Sequence, residues 1–160
     1  PTTDAHNGKD RVMLFTRHAE QTFEDNNVLD KYSEYYFKKH PRAKIRPIEN
    51  PYHPSTNQWM IMKRPAMNAL KQKWKDFIVW FINDLGYQNM KIDNCEIEVY
   101  TYRRINREFD LDNTTIKFIQ DGFVESGFLV DDNYKMLRKL TLMGGVDKEN
   151  PRTEIIVKIF

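Results

Sequence analysis

The stretch from Tyr102 to Asp132 reads YRRINREFDLDNTTIKFIQDGFVESGFLVDD, and its pattern organises the interpretation of the whole chain. Within it, apolar side chains recur at near-helical spacing over residues 114–125. This periodicity predicts an α-helix, for which Asp112 or Asn113 is a suitable N-cap and Gly127 a suitable stop. We expect a short turn after this helix to return the chain toward the point where the helix began.

Acidic residues flank the predicted helix on both sides. Asp110 and Asp112 precede it, and Asp132 follows it beside Asp131. Carboxylate oxygens are the ligands that Mg²⁺ prefers, usually one or two carboxylates completed by water and a substrate phosphate. Asp110, Asp112 and Asp132 are therefore candidate metal ligands. The same residues also suit ordinary capping and surface turns, which is the alternative interpretation.

The segment before this stretch alternates as a β-strand does. From Cys95 to Tyr102 the side chains predict one apolar and one polar face, with Cys95 as a buried thiol. The strand leads into Arg103, Arg104 and Arg107, which we interpret as candidate phosphate contacts.

A long amphipathic helix is predicted from Pro65 to Gly86, because large apolar residues repeat there at three and four positions. Its polar side carries Lys71, Lys73 and Lys75. A solvated face is the default role for these lysines, and phosphate contact is the functional alternative.

The two ends of the chain predict further elements. A strand is expected over Arg11 to Thr16, a helix over Val28 to Lys39 and an extended connector over Pro41 to Asn57. Two strands are expected at the end, Tyr134 to Met143 and Arg152 to Phe160, joined as an antiparallel hairpin. The resulting fold class is α+β, with a mixed or antiparallel sheet covered by helices.

Composition narrows the class of protein. A hydrophobic share of 40% against 30% charged residues is typical of a soluble globular protein. No apolar run approaches the ~20 residues that span a bilayer, and the polar first ten residues do not resemble a signal peptide, so we expect a cytoplasmic protein without membrane association. Residues 59–107 hold 9 Lys and Arg against 5 Asp and Glu, whereas residues 108–160 hold 7 against 10. Such a basic segment leading into an acidic one suits a carboxylate-bound metal that acts on a phosphate.

Several other chemistries lack their motif. The chain has no G-x-x-x-x-G-K-[ST], G-x-G-x-x-G or G-x-S-x-G sequence, which argues against nucleotide hydrolysis, dinucleotide binding and a serine hydrolase. The histidines at positions 6, 18, 40 and 53 are scattered and predict no zinc site.

The acidic motif resembles the RusA family of Holliday junction resolvases. The shared features are D-L-D-N, a following lysine, an aspartate, a G-F-L-V segment and D-D before a strand. They correspond to Asp110–Asn113, Lys117, Asp121, Gly127–Val130 and Asp131–Asp132. Pro54–Asn57 also resembles the family's P-x-S-x-N turn. Two departures are that Lys117 lies five rather than four residues after Asp112, and that Phe109 replaces a basic residue, with Arg107 the nearest substitute.

The resemblance implies a RusA-like endonuclease domain over residues 54–160, with residues 1–53 as an N-terminal extension or elaboration of it. It further implies a homodimeric, Mg²⁺-dependent endodeoxyribonuclease that cuts four-way DNA junctions in recombination, repair or phage DNA processing, with Mn²⁺ as an alternative cofactor. Asp110, Asp112 and Asp132 would bind the metal and Lys117 would be the catalytic lysine. A catalytically silent junction-binding module and a non-catalytic interaction protein remain alternatives.

Overall fold

The computed structural model describes the strand at residues 11–16, without its side chains, and residues 28–160. Residues 1–10 and 17–27, which hold His6, His18 and much of the predicted N-terminal extension, lie outside the described residues. The helices are α1 (Val28–Lys39), α2 (Thr56–Trp59), α3 (Arg64–Leu85), a 3-10 helix (Leu111–Thr114) and α4 (Lys117–Glu125). The strands are β1 (Arg11–Thr16), β2 (Cys95–Arg103), β3 (Leu137–Val146) and β4 (Arg152–Ile159).

The described strands form one mixed sheet in the order β1-β4-β2-β3. β4 is antiparallel to both β1 and β2, whereas β2 and β3 are parallel. The predicted α+β class with a mixed sheet is therefore confirmed at that general level.

The predicted hairpin between the last two strands is wrong, because β2 lies between β3 and β4. The third strand also begins at Leu137 and ends at Val146, three residues later than predicted at each end. Burial alternates along β2 from Cys95 to Tyr102 and along β4 from Arg152 to Lys158, as suits strands with one face on the core, while most residues of β3 are exposed or half-buried. The residues that connect β3 to β4 cross the end of β2, where the Asp147 backbone N–H donates a hydrogen bond to the Arg103 carbonyl at 2.8 Å.

The connection from β2 to the parallel β3 carries the acidic stretch. Parallel neighbours need a crossover connection, and here it contains the 3-10 helix and α4. The sheet residues Ile97, Val99, Ile155 and Val157 share one core with Phe77 and Ile78 of α3 and with Ile119 and Phe123 of α4. The crossover is thus packed onto the sheet rather than projecting from it.

The long helix and the strand after it follow the predicted patterns. α3 ends at Leu85, and Gly86 caps it in the left-handed conformation with φ 79°. Trp74, Phe77, Ile78, Phe81 and Ile82 are its buried residues. Cys95 is buried, as predicted.

The helix of the acidic stretch starts later than predicted. The chain first forms the 3-10 helix, and Thr115 then adopts an extended conformation with φ −62° and ψ 151°. α4 begins at Lys117 after Ile116, so neither Asp112 nor Asn113 is its N-cap. The predicted stop is confirmed, because Gly127 follows the helix with φ 78°.

The described part of residues 1–53 shares the sheet and the core with the rest of the chain. β1 pairs with β4, and α1 buries Val28, Leu29 and Tyr32 against the common core. The predicted helix Val28–Lys39 and the predicted strand Arg11–Thr16 are confirmed. Among the described residues, no helix combines the length and apolarity needed to cross a membrane.

Candidate active site

The segment that carries Asp110 and Asp112 leaves the end of β2 and is anchored on β3 by Phe109. A Cβ atom added to Gly144 would lie 2.7 Å from Cζ of Phe109, so the ring rests directly on the glycine backbone. Asp110 then opens the 3-10 helix, but its side chain makes no capping hydrogen bond. Both carboxylates are exposed. These carboxylates are consequently accessible to a ligand from solvent.

The Pro54–Asn57 turn docks against this acidic segment. The Thr56 hydroxyl donates to the backbone carbonyl of Asp112 at 3.2 Å and lies 3.1 Å from the hydroxyl of Thr115. The backbone N–H of Asn57 donates to Oδ1 of Asn113 at 3.3 Å. These contacts hold Thr115 extended and separate the 3-10 helix from α4.

Lys117, the predicted catalytic lysine, stands at the start of α4. Its ammonium donates to Oδ1 of Asp121 at 2.9 Å, and Lys71 approaches the other oxygen of Asp121 at 3.6 Å. The hydrogen bond to Asp121, together with the nearby carboxylate of Asp132, raises the pKa of Lys117 above its ordinary value. Lys117 is therefore a stable cation at neutral pH and suited to offsetting negative charge rather than to accepting a proton.

Asp132 is held by α4 and by its own turn. Nε2 of Gln120 donates to Oδ2 of Asp132 at 3.2 Å, and the backbone N–H of Asp132 donates to Asp131 at 2.8 Å. Asp131 also accepts a bond from the Asn133 amide at 3.0 Å. The turn thus returns Asp132 to the side of α4 that bears Gln120 and Lys117.

The three predicted metal ligands are not assembled as a ready-made cluster. Across residues 28–160, no group of three Asp, Glu, His or Cys side chains is arranged to hold a metal ion. Asp110 and Asp112 nevertheless supply two exposed carboxylates, which matches the donor set of Mg²⁺ when water and a substrate phosphate complete the coordination. These two residues fit that type of magnesium site, whereas the contacts of Asp132 are to Gln120 of α4 and to its own turn.

The predicted DNA-contacting cations fall into two groups, those that neighbouring side chains engage and those that are more exposed. The Arg103 guanidinium contacts two rings, with its Cζ 4.9 Å from the centroid of Tyr52 and 4.7 Å from that of Phe109. Its Nε is buried without a hydrogen-bond partner among the described residues. Ion pairs join Lys71 to Asp121 at 3.6 Å and Lys75 to Glu125 at 3.3 Å. The more exposed members are Lys73, Arg104 and Arg107.

His53 is a supporting residue that the sequence did not reveal. Its Nε2 accepts a hydrogen bond from the backbone N–H of Phe118 at 2.9 Å, and its Nδ1 donates to the carbonyl of Pro54 at 2.7 Å. Burial lowers the pKa of His53 to about 4, so the ring is neutral at physiological pH. The only sequence signal is its position directly before the Pro54–Asn57 turn, and Thr56, Asn57 and Gln120 were likewise not predicted as supporting residues.

Neither protein-family models nor curated proteins give a match to this sequence.

Proposed function

We propose that this chain is a Mg²⁺-dependent endodeoxyribonuclease of the RusA type that resolves four-way DNA junctions. The single observation that carries this function is the contact between the Pro54–Asn57 turn and the Asp110–Asn113 segment. Thr56 and Asn57 bond to Asp112 and Asn113 across 56 residues of sequence. Two motifs of the family resemblance, far apart in the chain, therefore form one local unit.

The second support is the placement of charge around α4. The charges of both Asp121 and Asp132 raise the pKa of Lys117, and Gln120 of the same helix donates a hydrogen bond to Asp132. A cation and a carboxylate side by side are what a site needs in order to hold a phosphate near a metal. Since the lysine pKa is raised, its role at the phosphate would be electrostatic.

The roles of the residues follow from this arrangement. Asp110 and Asp112 would hold the metal, with Asp132 as the third carboxylate, and bound Mg²⁺ would polarise the phosphate and acidify a water. Lys117 would offset the negative charge that develops on the phosphate. Lys73, Arg104 and Arg107 would contact the DNA backbone, because their side chains are exposed. The active unit would be a homodimer, since a four-way junction offers two equivalent strands. A cytoplasmic location and a role in recombination, repair or phage DNA processing belong to the same proposal.

A junction-binding module without catalysis is the second candidate. It is favoured by the lack of a preassembled three-carboxylate group within residues 28–160. In that case the exposed aspartates would serve only as turn residues.

Cleavage of a labelled four-way junction distinguishes these functions. The unmodified protein should cut the junction in Mg²⁺ or Mn²⁺ but not in EDTA, and should leave linear duplex DNA largely intact. Asp112→Asn and Asp132→Asn should each reduce the cleavage rate by orders of magnitude while binding in EDTA persists, because a repulsive charge has been removed. Asp84→Asn, at an exposed position near the end of α3 where the carboxylate pairs with Lys31, is the matched control and should cleave normally.

Each remaining outcome has a distinct meaning. Junction binding without cleavage in either metal would support the silent module. Cleavage at the unmodified rate by both site variants would overturn the nuclease mechanism. Absence of any DNA binding would favour a non-catalytic interaction protein.

A further inference from the structure

A second basic region lies at the end of α1, in the part of the chain that the sequence resemblance leaves unexplained. Residues 35–48 contain five Lys and Arg and no Asp or Glu. Four of these cations have exposed side chains, and we refer to them as the α1-end surface: Lys38, Lys39, Arg42 and Lys44. The fifth, Arg46, is bonded to Asp30 and is excluded from this surface.

The α1-end surface is not neutralised by the neighbouring fold. Within residues 28–160, none of its four cations forms an ion pair with a carboxylate, in contrast to Lys31, which pairs with Asp84 at 3.1 Å. Lys39 lies over the ring of Tyr35, with its Nζ 5.2 Å from the centroid. The positive charge therefore faces solvent.

Helix capping accounts for only part of this charge. Lys38 and Lys39 occupy the last turn of α1, where cations interact favourably with the negative end of the helix dipole. Arg42 and Lys44 lie beyond the helix end, in a loop that is fixed by a hydrogen bond from the Ala43 N–H to the His40 carbonyl at 3.0 Å. Helix stability therefore does not account for these two cations.

A cleft accompanies the charge. It is open, has a volume of about 550 Å³ and is lined by Tyr36, His40, Pro41, Arg42 and Ala43. The His40 ring stacks on Tyr36 with centroids 4.3 Å apart, and its Nδ1 donates to the Tyr36 carbonyl at 3.1 Å. An ordered aromatic wall beside exposed cations is the combination that holds nucleic-acid backbones and their sugars or bases.

The packing of α1 favours nucleic acid over an anionic membrane. A membrane-surface helix needs an exposed apolar face, but Leu29, Val28 and Tyr32 of α1 are buried in the protein core. The exposed residues of α1 are Lys31, Glu34, Tyr35, Lys38 and Lys39, of which four are charged, and the loop that follows exposes a single large aliphatic side chain, Ile45. We propose that the α1-end surface is a second binding site for the phosphate backbone of DNA, separate from the candidate active site and independent of any cleavage activity.

The test measures DNA binding by the full chain in EDTA, so that its outcome does not depend on nuclease activity. Fluorescence anisotropy with a labelled duplex and a labelled single strand gives the DNA-binding constant at each of several salt concentrations. The quantity compared is the slope of the logarithm of this constant against the logarithm of the salt concentration. Arg42→Gln/Lys44→Gln should reduce the magnitude of the duplex slope by about 0.9 for each phosphate that is no longer bound, or by about 0.7 on a single strand. Lys91→Gln/Lys148→Gln removes the same charge elsewhere and should leave the slope unchanged.

Two results would overturn this second site. One is equal DNA affinity and equal slope for the two double variants. The other concerns vesicles of anionic phospholipid. If the unmodified protein binds them, and Arg42→Gln/Lys44→Gln loses vesicle binding but keeps DNA binding, the surface is a membrane contact. If Arg42→Gln/Lys44→Gln unfolds, as judged by circular dichroism, Lys38→Gln/Lys44→Gln provides the same test with one loop and one helix position.

Discussion

The backbone N–H of Phe118 donates a hydrogen bond to Nε2 of His53 at 2.9 Å, although 65 residues separate the two in sequence. Phe118 lies in the first turn of α4, where N–H groups lack an intrahelical partner, and Ile116 supplies no side-chain cap. The His53 ring therefore caps α4 from a distance, and it joins the Pro54–Asn57 turn to the helix that bears Lys117.

This bond predicts a pH-dependent stability. The pKa of His53 is lowered from 6.5 to about 4 by burial, so between these values the unfolded chain binds a proton that the folded chain does not. The free energy of unfolding should consequently have its full value above about pH 6.5 and fall as the pH drops toward 4, by at most about 1.4 kcal/mol per pH unit. Urea unfolding at a series of pH values measures this slope.

His53→Gln should remove most of that slope, because the amide can donate and accept hydrogen bonds but does not titrate in this range. It should also be less stable at pH 7, by about 1–3 kcal/mol, since no ring would pack there against Trp74 and Phe118. The unmodified protein in the same buffers is the reference for both measurements. An unchanged slope in His53→Gln would assign the acid sensitivity to other groups.

The close approach of α3 and α4 at Gly122 should be intolerant of any side chain. A Cβ atom at Gly122 would lie 2.6 Å from Cβ of Ile78, which is fully buried and cannot rotate away. Gly122→Ala should therefore destabilise the protein by about 1–3 kcal/mol, even though alanine favours helices. Thermal unfolding measures the change, with Asn68→Ala on the exposed side of α3 as control. Stabilisation by Gly122→Ala would show that the helices can move apart freely.

Arg103 and Arg107 should differ in what their replacement affects. Arg103 lies over the rings of Tyr52 and Phe109, so Arg103→Ala should lower stability by about 0.5–1 kcal/mol per ring contact. It should change little the slope of the logarithm of the junction-binding constant against the logarithm of the salt concentration. Arg107 is exposed, so Arg107→Ala should keep stability and reduce the magnitude of the slope by about 0.9. Equal reductions of the slope for the two variants would show that Arg103 reaches the DNA.

Gln120 should act as a positioning residue for Asp132. Its amide bonds the Asp132 carboxylate at 3.2 Å, and removal of such a supporting bond typically costs about 10–100-fold in metal affinity or activity. We expect Gln120→Ala to raise the Mg²⁺ concentration needed for half-maximal cleavage while junction binding in EDTA is retained. Gln72→Ala is the matched control, because Gln72 bonds Asp76 in the same way at 2.8 Å on the exposed side of α3. Identical Mg²⁺ dependence of the two variants would exclude the positioning role.

Local patterns in the sequence correctly predicted most of the elements. The apolar repeat of α3 and the alternation of β2 are properties of neighbouring residues, because helix and strand geometry dictate which side chains share a face. Gly86 and Gly127 were predictable ends for a similar reason, since both adopt positive φ angles that glycine tolerates. The acidic motif and its lysine were also visible in the sequence as a resemblance, although their catalytic role stays a prediction.

Only the tertiary structure decided the strand order and the surroundings of the acidic segment. Local pattern could not place β2 between β3 and β4, because pairing partners are chosen by burial across the whole sheet and not by sequence distance. The late start of α4 has the same origin, since Thr56 holds Thr115 extended from 59 residues away. Likewise, the sequence could not show that the guanidinium of Arg103 lies over the rings of Tyr52 and Phe109. The sequence by itself thus determined most of the helices and strands, because those patterns are local, whereas long-range contacts determined where α4 begins and which of the charged residues remain available for chemistry.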